Sequence, residues 1–139
     1  MASRADKFTQ LKKEEQFSDF LNNFSRNPVS GALGKTINEA AVRQSIKNLI
    51  LTDQGERLFQ PNVGSDVRRS LFEPLDRVIL NEITEAISST IKYNEPRAKL
   101  IDVLVTGNED SNELNVTVLF SLINSNTPIS LDVILRRVR

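Results

Sequence analysis

Four charged residues are candidates for chemistry: Glu56 and Arg57 in a stretch rich in glycine and proline, and Glu95 and Arg97 on either side of Pro96. Two carboxylates could cleave a glycosidic bond. That reaction needs one acid kept protonated by an apolar setting and a second carboxyl group about 5 Å away in retaining enzymes, somewhat further in inverting ones. Glu56 and Glu95 are the pair that can be nominated. Each has an arginine beside it, and a neighbouring cation lowers a carboxylate pKa, the wrong direction for a general acid. The same residue types can also hold structure. Pro96 fixes its own φ and biases Glu95 away from the α region, so residues 95–97 form a stiff corner carrying an acid and a permanent cation. That corner reads either as an internal Glu–Arg brace tied to the helix before it, or as a binding site for a partner. Glu56 and Arg57 read as a solvated pair worth well under about 1 kcal/mol, or as recruits to a fixed ionic cluster.

What is missing narrows the choice further. The 139 residues contain no histidine and no cysteine. Serine–histidine and cysteine–histidine catalysis, disulfides, thiolate metal sites and iron–sulfur clusters therefore cannot be built from this chain. No run of acids has the spacing of a calcium loop, so neither a metal nor another cofactor is expected. Eighteen basic residues balance eighteen acidic ones. A nucleic-acid binder usually carries a basic excess on one face, and neutrality suits a protein that joins an assembly. No apolar stretch approaches a membrane span, and the N-terminus lacks the apolar core of a signal peptide. The expectation is a soluble protein made in a cytoplasm, folded as one domain over residues 1–139, with residues 1–16 a flexible or docking arm.

The elements that must position the corner follow from periodicity. Phe17, Phe20, Leu21 and Phe24 fall at i, i+3, i+4 and i+7, which predicts a helix; the same aromatics could serve an arm packed on a neighbouring subunit. Asn27, Pro28, Ser30 and Gly31 mark a turn. Thr36 and Glu39 have capping-box spacing, with Asn38 as an alternative cap. The helix that follows carries Val42, Ile46, Leu49 and Ile50 on one face and should stop near Thr52–Gly55. Leu58 and Phe59 are expected to pin the next loop by entering the core. Ser65 or Asp66 can cap a short helix through Val67, Leu71 and Phe72. Pro74 suits the first turn of a long helix over residues 75–92, striped by Leu75, Ile79, Ile83, Ile87 and Ile91.

Beyond the corner the period changes to two. Ile101, Val103 and Val105 face one way, then Leu114, Val116, Val118, Phe120 and Leu122, then Ile129, Leu131, Val133 and Leu135. A hairpin-like loop at residues 107–112 and a turn at residues 124–128 separate the three runs. The fold class is α+β, with N-terminal helices packed on a small antiparallel C-terminal sheet. One helix cannot cover both margins of such a sheet, so an open edge is expected, and open edges accept strands from other chains. The arginines at positions 136, 137 and 139 would either guard that edge or steer an acidic strand to it.

With these residues in place a family resemblance emerges. Residues 41–51, then Thr52, Gly55-Glu56-Arg57, Pro61, Gly64-Ser65, Leu71-Phe72-Glu73-Pro74 and Glu95-Pro96-Arg97, in that order and spacing, resemble the baseplate wedge, sheath-initiator family of contractile phage tails and type VI secretion baseplates. The likeness spans residues 40–106 and is less distinctive over the last strands. It implies a structural subunit of the virion tail baseplate that turns over no substrate. Glu95, Pro96 and Arg97 are implied to contact the helical core bundle of neighbouring wedge subunits. The family's sheet resembles the interlocking domain of the tail sheath protein, which implies that the first sheath ring is templated by strand exchange. The template would be the edge strands at residues 114–122 and 129–135, with Leu131, Val133 and Leu135 among the residues presented; Glu56 and Arg57 complete the candidate partner surface. Neither nucleic acid nor membrane is an implied partner. The family has also carried a lysozyme-like label, which keeps glycoside hydrolysis by paired carboxylates as the alternative.

Overall fold

The computed structural model describes residues 16–74, 76–108 and 113–136. The expected N-terminal arm (apart from Gln16), Leu75, most of the first hairpin loop, and Arg137 and Arg139 lie outside these. The element order is β1 (Ser18–Phe20), β2 (Lys35–Ile37), α1 (Asn38–Leu51), α2 (Val67–Ser70), α3 (Arg77–Asn94), β3 (Ala98–Asn108), β4 (Glu113–Leu122) and β5 (Pro128–Arg136). This is the α+β arrangement expected, with the antiparallel sheet at the C-terminal end.

Helix α3 forms because isoleucines recur every fourth residue, and Ile83, Ile87 and Ile91 are buried along its length. It starts two residues later than the isoleucine stripe suggests. Asp76 is the cap, its Oδ1 accepting from the N–H groups of Val78 and Ile79 at 3.0 Å each. A side-chain cap of this kind satisfies donors that the first turn leaves orphaned, and so outcompetes a start at Pro74. The helix crosses the sheet along β3. Helix α1 buries Ala41, Val42, Ile46, Leu49 and Ile50.

The capping box is not formed. Thr36 is taken into β2, opposite Asp19 of β1, and Ile37 occupies the cap position of α1 without a side-chain bond. Asn38 instead turns the chain into the helix at φ +49°, and its Oδ1 accepts from the backbone N–H of Gln16 at 3.0 Å and of Phe17 at 3.3 Å. Asparagine is one of the few residues that tolerates this left-handed conformation. At the other end α1 runs out into extended backbone at Thr52, whose hydroxyl donates to the Asn48 carbonyl at 2.7 Å, and the left-handed Gly55 serves the following loop. Ser65, a candidate cap for α2, donates to the Ile50 carbonyl at 2.7 Å instead.

The segment at residues 17–24 is not a helix. It contributes β1, paired antiparallel with β2 in a separate two-stranded sheet. Phe17, Asp19 and Leu21 are half-buried, while Ser18, Phe20 and Phe24 point to solvent. The true period is two, and the helical spacing of the four apolar residues is a coincidence of their placement. The turn at residues 27–31 forms as expected, with the Gly31 N–H donating to the Asn27 carbonyl at 2.9 Å.

The main sheet has the order β3-β4-β5, antiparallel throughout. Its inner face supplies Val103, Val105, Leu114, Val116, Val118, Phe120, Ile129, Val133 and Leu135 to one core shared with α1, α2 and α3. Ile101 does not join this row. A bulge between Leu100 and Asp102 turns it outward, 55% exposed, and Leu100 packs against the core instead. One extra residue shifts the facing of the strand in this way. A second correction bears on function: β4 is the central strand, paired on both sides, so the margins of the sheet are β3 and β5.

Leu58 and Phe59 do not enter the core either. They are 91% and 96% exposed. The loop is held closed by its backbone, so it has no need of an apolar anchor. The Gly55 N–H donates to the Pro61 carbonyl at 2.8 Å, and the Thr90 hydroxyl donates to the Gly64 carbonyl at 3.0 Å. Gly64 has φ +127°, and a Cβ there would come within 2.5 Å of the Thr52 carbonyl oxygen, so this closure requires glycine.

Candidate functional site: the charged corner between helix and sheet

The corner is built by the end of α3. The Glu95 N–H makes the last helical bond, to the Ile91 carbonyl at 2.9 Å, and the Ala98 N–H then donates to the Glu95 carbonyl at 3.2 Å. Residues 95–98 are thus a tight turn with proline second, the position its fixed φ prefers. The Ile123 N–H donates to the Arg97 carbonyl at 3.0 Å, fastening the turn to the end of β4.

Because the turn curls, the side chains of Glu95 and Arg97 meet face to face. Arg97 Nε donates to Glu95 Oε1 at 2.7 Å and Nη2 donates to Oε2 at 2.8 Å, a two-pronged fork. The remaining nitrogen, Nη1, donates to both carboxylate oxygens of Asp19 at 3.2 Å. The guanidinium carbon also stands 5.9 Å from the centre of the Phe17 ring. Glu95 is 2% exposed, whereas 26% of the Arg97 side chain and 34% of the Asp19 side chain reach solvent. Paired fork geometry of this kind is stronger than an ordinary neutral hydrogen bond and fixes direction as well as distance.

The electrostatics follow from that packing. Burial pushes the Glu95 carboxyl upward, but hydrogen bonds from Arg97 and from Ser45 on α1, together with the arginine charge, outweigh it and hold the group below its ordinary value. Arg97 is raised, first by its hydrogen bond to Glu95 against the opposing effect of burial. Both groups stay charged. The brace expected at this corner therefore exists, but it reaches the first strand and α1 rather than the helix that precedes it.

Asp19 was not legible as a member of this site. Read with a period of two, Phe17, Asp19 and Leu21 fall on one side of a short strand and present the acid; read with a helical period the acid is lost among aromatics. Of the remaining candidates, Arg57 lines a polar groove of about 460 Å³ together with Asp19, Gln44, Tyr93 and Asn94, which places it beside the corner. Glu56 is engaged locally, its Oε2 accepting from the Asp53 N–H at 3.1 Å. Pro96 is exposed on the outside of the turn. Leu131, Val133 and Leu135 sit apart on β5. Val133 and Leu135 are buried in the chain's own core and Leu131 packs against it, so what β5 turns outward is its backbone and its alternate residues.

A rigid ionic corner on an α+β frame with two strand margins is the equipment of a scaffold subunit. Residues 37–127 match the family model of baseplate wedge protein gp25, and the chain belongs to that family. It is therefore a structural component of contractile-tail baseplates. It is 27% identical over 93 residues to baseplate wedge protein gp25 of Enterobacteria phage T4, across 67% of this chain and 70% of that protein. Its fold matches a chain of the anti-feeding prophage baseplate with a TM-score of 0.69 and 26% identity, covering 79% of this chain and 88% of that one. It also matches a Geobacter sulfurreducens protein provisionally named a tail lysozyme, with a TM-score of 0.63 and 21% identity over 70% of this chain and 89% of that one. This last likeness concerns the fold alone. The corner and the 53–64 loop lie inside the matched family region, whereas Asp19 and β5 lie outside it.

Proposed function

We propose that this subunit docks through the corner of Glu95, Pro96 and Arg97 on the helical core bundle of neighbouring wedge subunits, with Pro96 and the outer part of Arg97 as the contact and the buried Glu95 holding the arginine in place, and starts the tail sheath by accepting a strand at the margin of its sheet. The observation that carries the second half is the topology. β5 is hydrogen-bonded to β4 on one side and has no strand partner on the other among the described residues. An edge of this kind offers a row of main-chain donors and acceptors to an extended segment, with alternate side chains setting the register. A cleft of about 400 Å³ at the same margin, lined by Leu51, Leu71, Phe72, Ile134 and Leu135 together with Arg68 and Arg136, would receive apolar side chains from such a segment and pair with an acidic one. The template is thus assigned to β5 rather than to the central β4.

No glycosidic chemistry is assigned. A general acid must hold its proton at working pH. Glu95 is buried, forked to an arginine and held ionised, and Glu56 is occupied with the backbone of its own loop.

The test uses prolines on β5, since deleting the strand would remove Ile129, Val133 and Leu135 from the core. N–H groups point alternately toward β4 and away, so Leu131→Pro and Asp132→Pro fall on opposite phases of the ladder. One variant should lose stability by breaking a bond to β4. The other should lose less stability, since it gives up only side-chain contacts, remain folded, enter baseplates normally and fail to start sheath polymerisation. Sheaths of normal length on particles carrying the more stable variant would defeat the proposal.

A further inference from the structure

We infer that the tip of the 53–64 loop is a second docking element, in which Leu58 and Phe59 together enter an apolar pocket on a different protein subunit of the baseplate. The inference rests on this loop and on membership of the family; it does not depend on the strand-addition reading. The Gln60 N–H donates to the Arg57 carbonyl at 3.3 Å, which makes Leu58 and Phe59 the two central residues of a turn. Those positions favour proline, glycine, asparagine or aspartate, which suit the backbone and remain in water. Here they hold two large apolar side chains, 91% and 96% exposed. Neither residue needs a left-handed backbone, and an ordinary turn accepts most residue types, so what is contravened at both positions is burial. Such violations in an otherwise consistent chain mark functional sites.

The presentation is also preorganised. The loop base is closed by Gly55 to Pro61, by the Ser65 N–H to the Thr52 carbonyl at 2.8 Å, and by Thr90 of α3 to Gly64 at 3.0 Å. A pair of apolar side chains held in a fixed position binds with less ordering cost than a mobile one. A large aromatic backed by an arginine has the composition of an interface anchor.

The kind of partner follows from the surroundings. Arg57 lies between the tip and a groove that continues to Tyr93 and Asn94, lined largely by polar side chains. A protein surface can answer that groove with hydrogen-bonding groups and Arg57 with a carboxylate. A lipid surface would call for a basic cluster, but the flanking residues are Glu56, Arg57 and Gln60, of no net charge. A heterologous contact with a second copy is the remaining occupant.

The experiment places a photo-crosslinking phenylalanine analogue at position 59 of the full chain in assembled particles, and separately introduces Leu58→Ser with Phe59→Ser. The inference expects crosslinks to a baseplate subunit other than this chain. It also expects the double variant to keep its melting temperature while its incorporation into baseplates falls about tenfold or more. Undiminished incorporation of the double variant overturns it. So does crosslinking only between copies of this chain, or flotation of the isolated protein with anionic phospholipid vesicles that the serine changes abolish. Loss of sheath growth at normal baseplate incorporation bears on β5 instead, which keeps the two readings distinguishable.

Discussion

The chain carries a glutamate–arginine combination twice, at residues 56–57 and at residues 95–97, and treats the two differently. The first has its glutamate bonded to a backbone N–H within its own loop and its arginine on the wall of a groove. The second is a buried fork that ties the turn after α3 to β1. The difference is one proline. At adjacent positions the two side chains diverge. With Pro96 between them, inside a turn that follows a helix, they converge until four atoms lie within hydrogen-bonding range. Residue type sets what a pair is able to do, and backbone curvature decides whether it does it.

Removing one arginine from each pair gives the sharpest test. Arg97→Ala leaves Glu95 buried beside Asp19 with no counter-charge, and should cost about 2–3 kcal/mol in urea unfolding. That is less than the loss of a partner in a fully buried pair costs, because part of Arg97 reaches water. An unchanged unfolding midpoint would mean that the fork is ornamental and that the comparison fails.

The second test is titration. Because the folded Glu95 lies below its ordinary value of 4.5, its contribution to stability is complete above that pH and disappears as the pH falls through the folded value. Wild-type protein should therefore lose stability below about pH 4.5 more steeply than Glu95→Gln, measured by denaturant midpoints across the acid range. In Arg97→Ala the sign should reverse for this group. Burial then acts without its opposing partner, the folded value rises, and stability is gained on acidification and lost as the pH climbs through the new value. Parallel pH profiles for all three proteins would remove the fork as the cause.

Which parts were legible follows from where the information lies. α3, β4 and β5 carry their periods over many residues, and their buried faces are the ones that alternation or four-residue spacing picks out. The stiff corner was legible because Pro96 acts locally. Three features were not. Residues 17–24 satisfy a helical template by coincidence, and only pairing with residues 35–37 decides in favour of a strand. The central place of β4 is a matter of strand order, which no single strand encodes. The third is the loop tip, since burial of two apolar residues is the default inference and their exposure depends on a backbone closure by Gly55, Gly64 and Thr90 that is spread across the chain. Asp19 is hidden in the sequence for the first of these reasons, and the corner motif by itself shows one carboxylate too few.

The smallest expected effect completes the contrast. Arg57→Ala should move the unfolding midpoint by no more than about 0.5 kcal/mol, the usual range for a surface substitution. Its groove neighbours Tyr93 and Asn94 keep their own supports in α3, where the Asn94 amide donates to the Thr90 carbonyl at 2.9 Å. Stability and assembly should therefore separate at this residue. Arg97→Ala weakens both the fold and whatever docks on the corner, so its assembly defect can be explained by unfolding. Arg57→Ala has no such excuse: a loss of baseplate incorporation at unchanged stability can come only from the surface it removes. Should the midpoint instead drop as far as it does for Arg97→Ala, the 56–57 pair is a structural brace after all, and the two combinations differ in position alone.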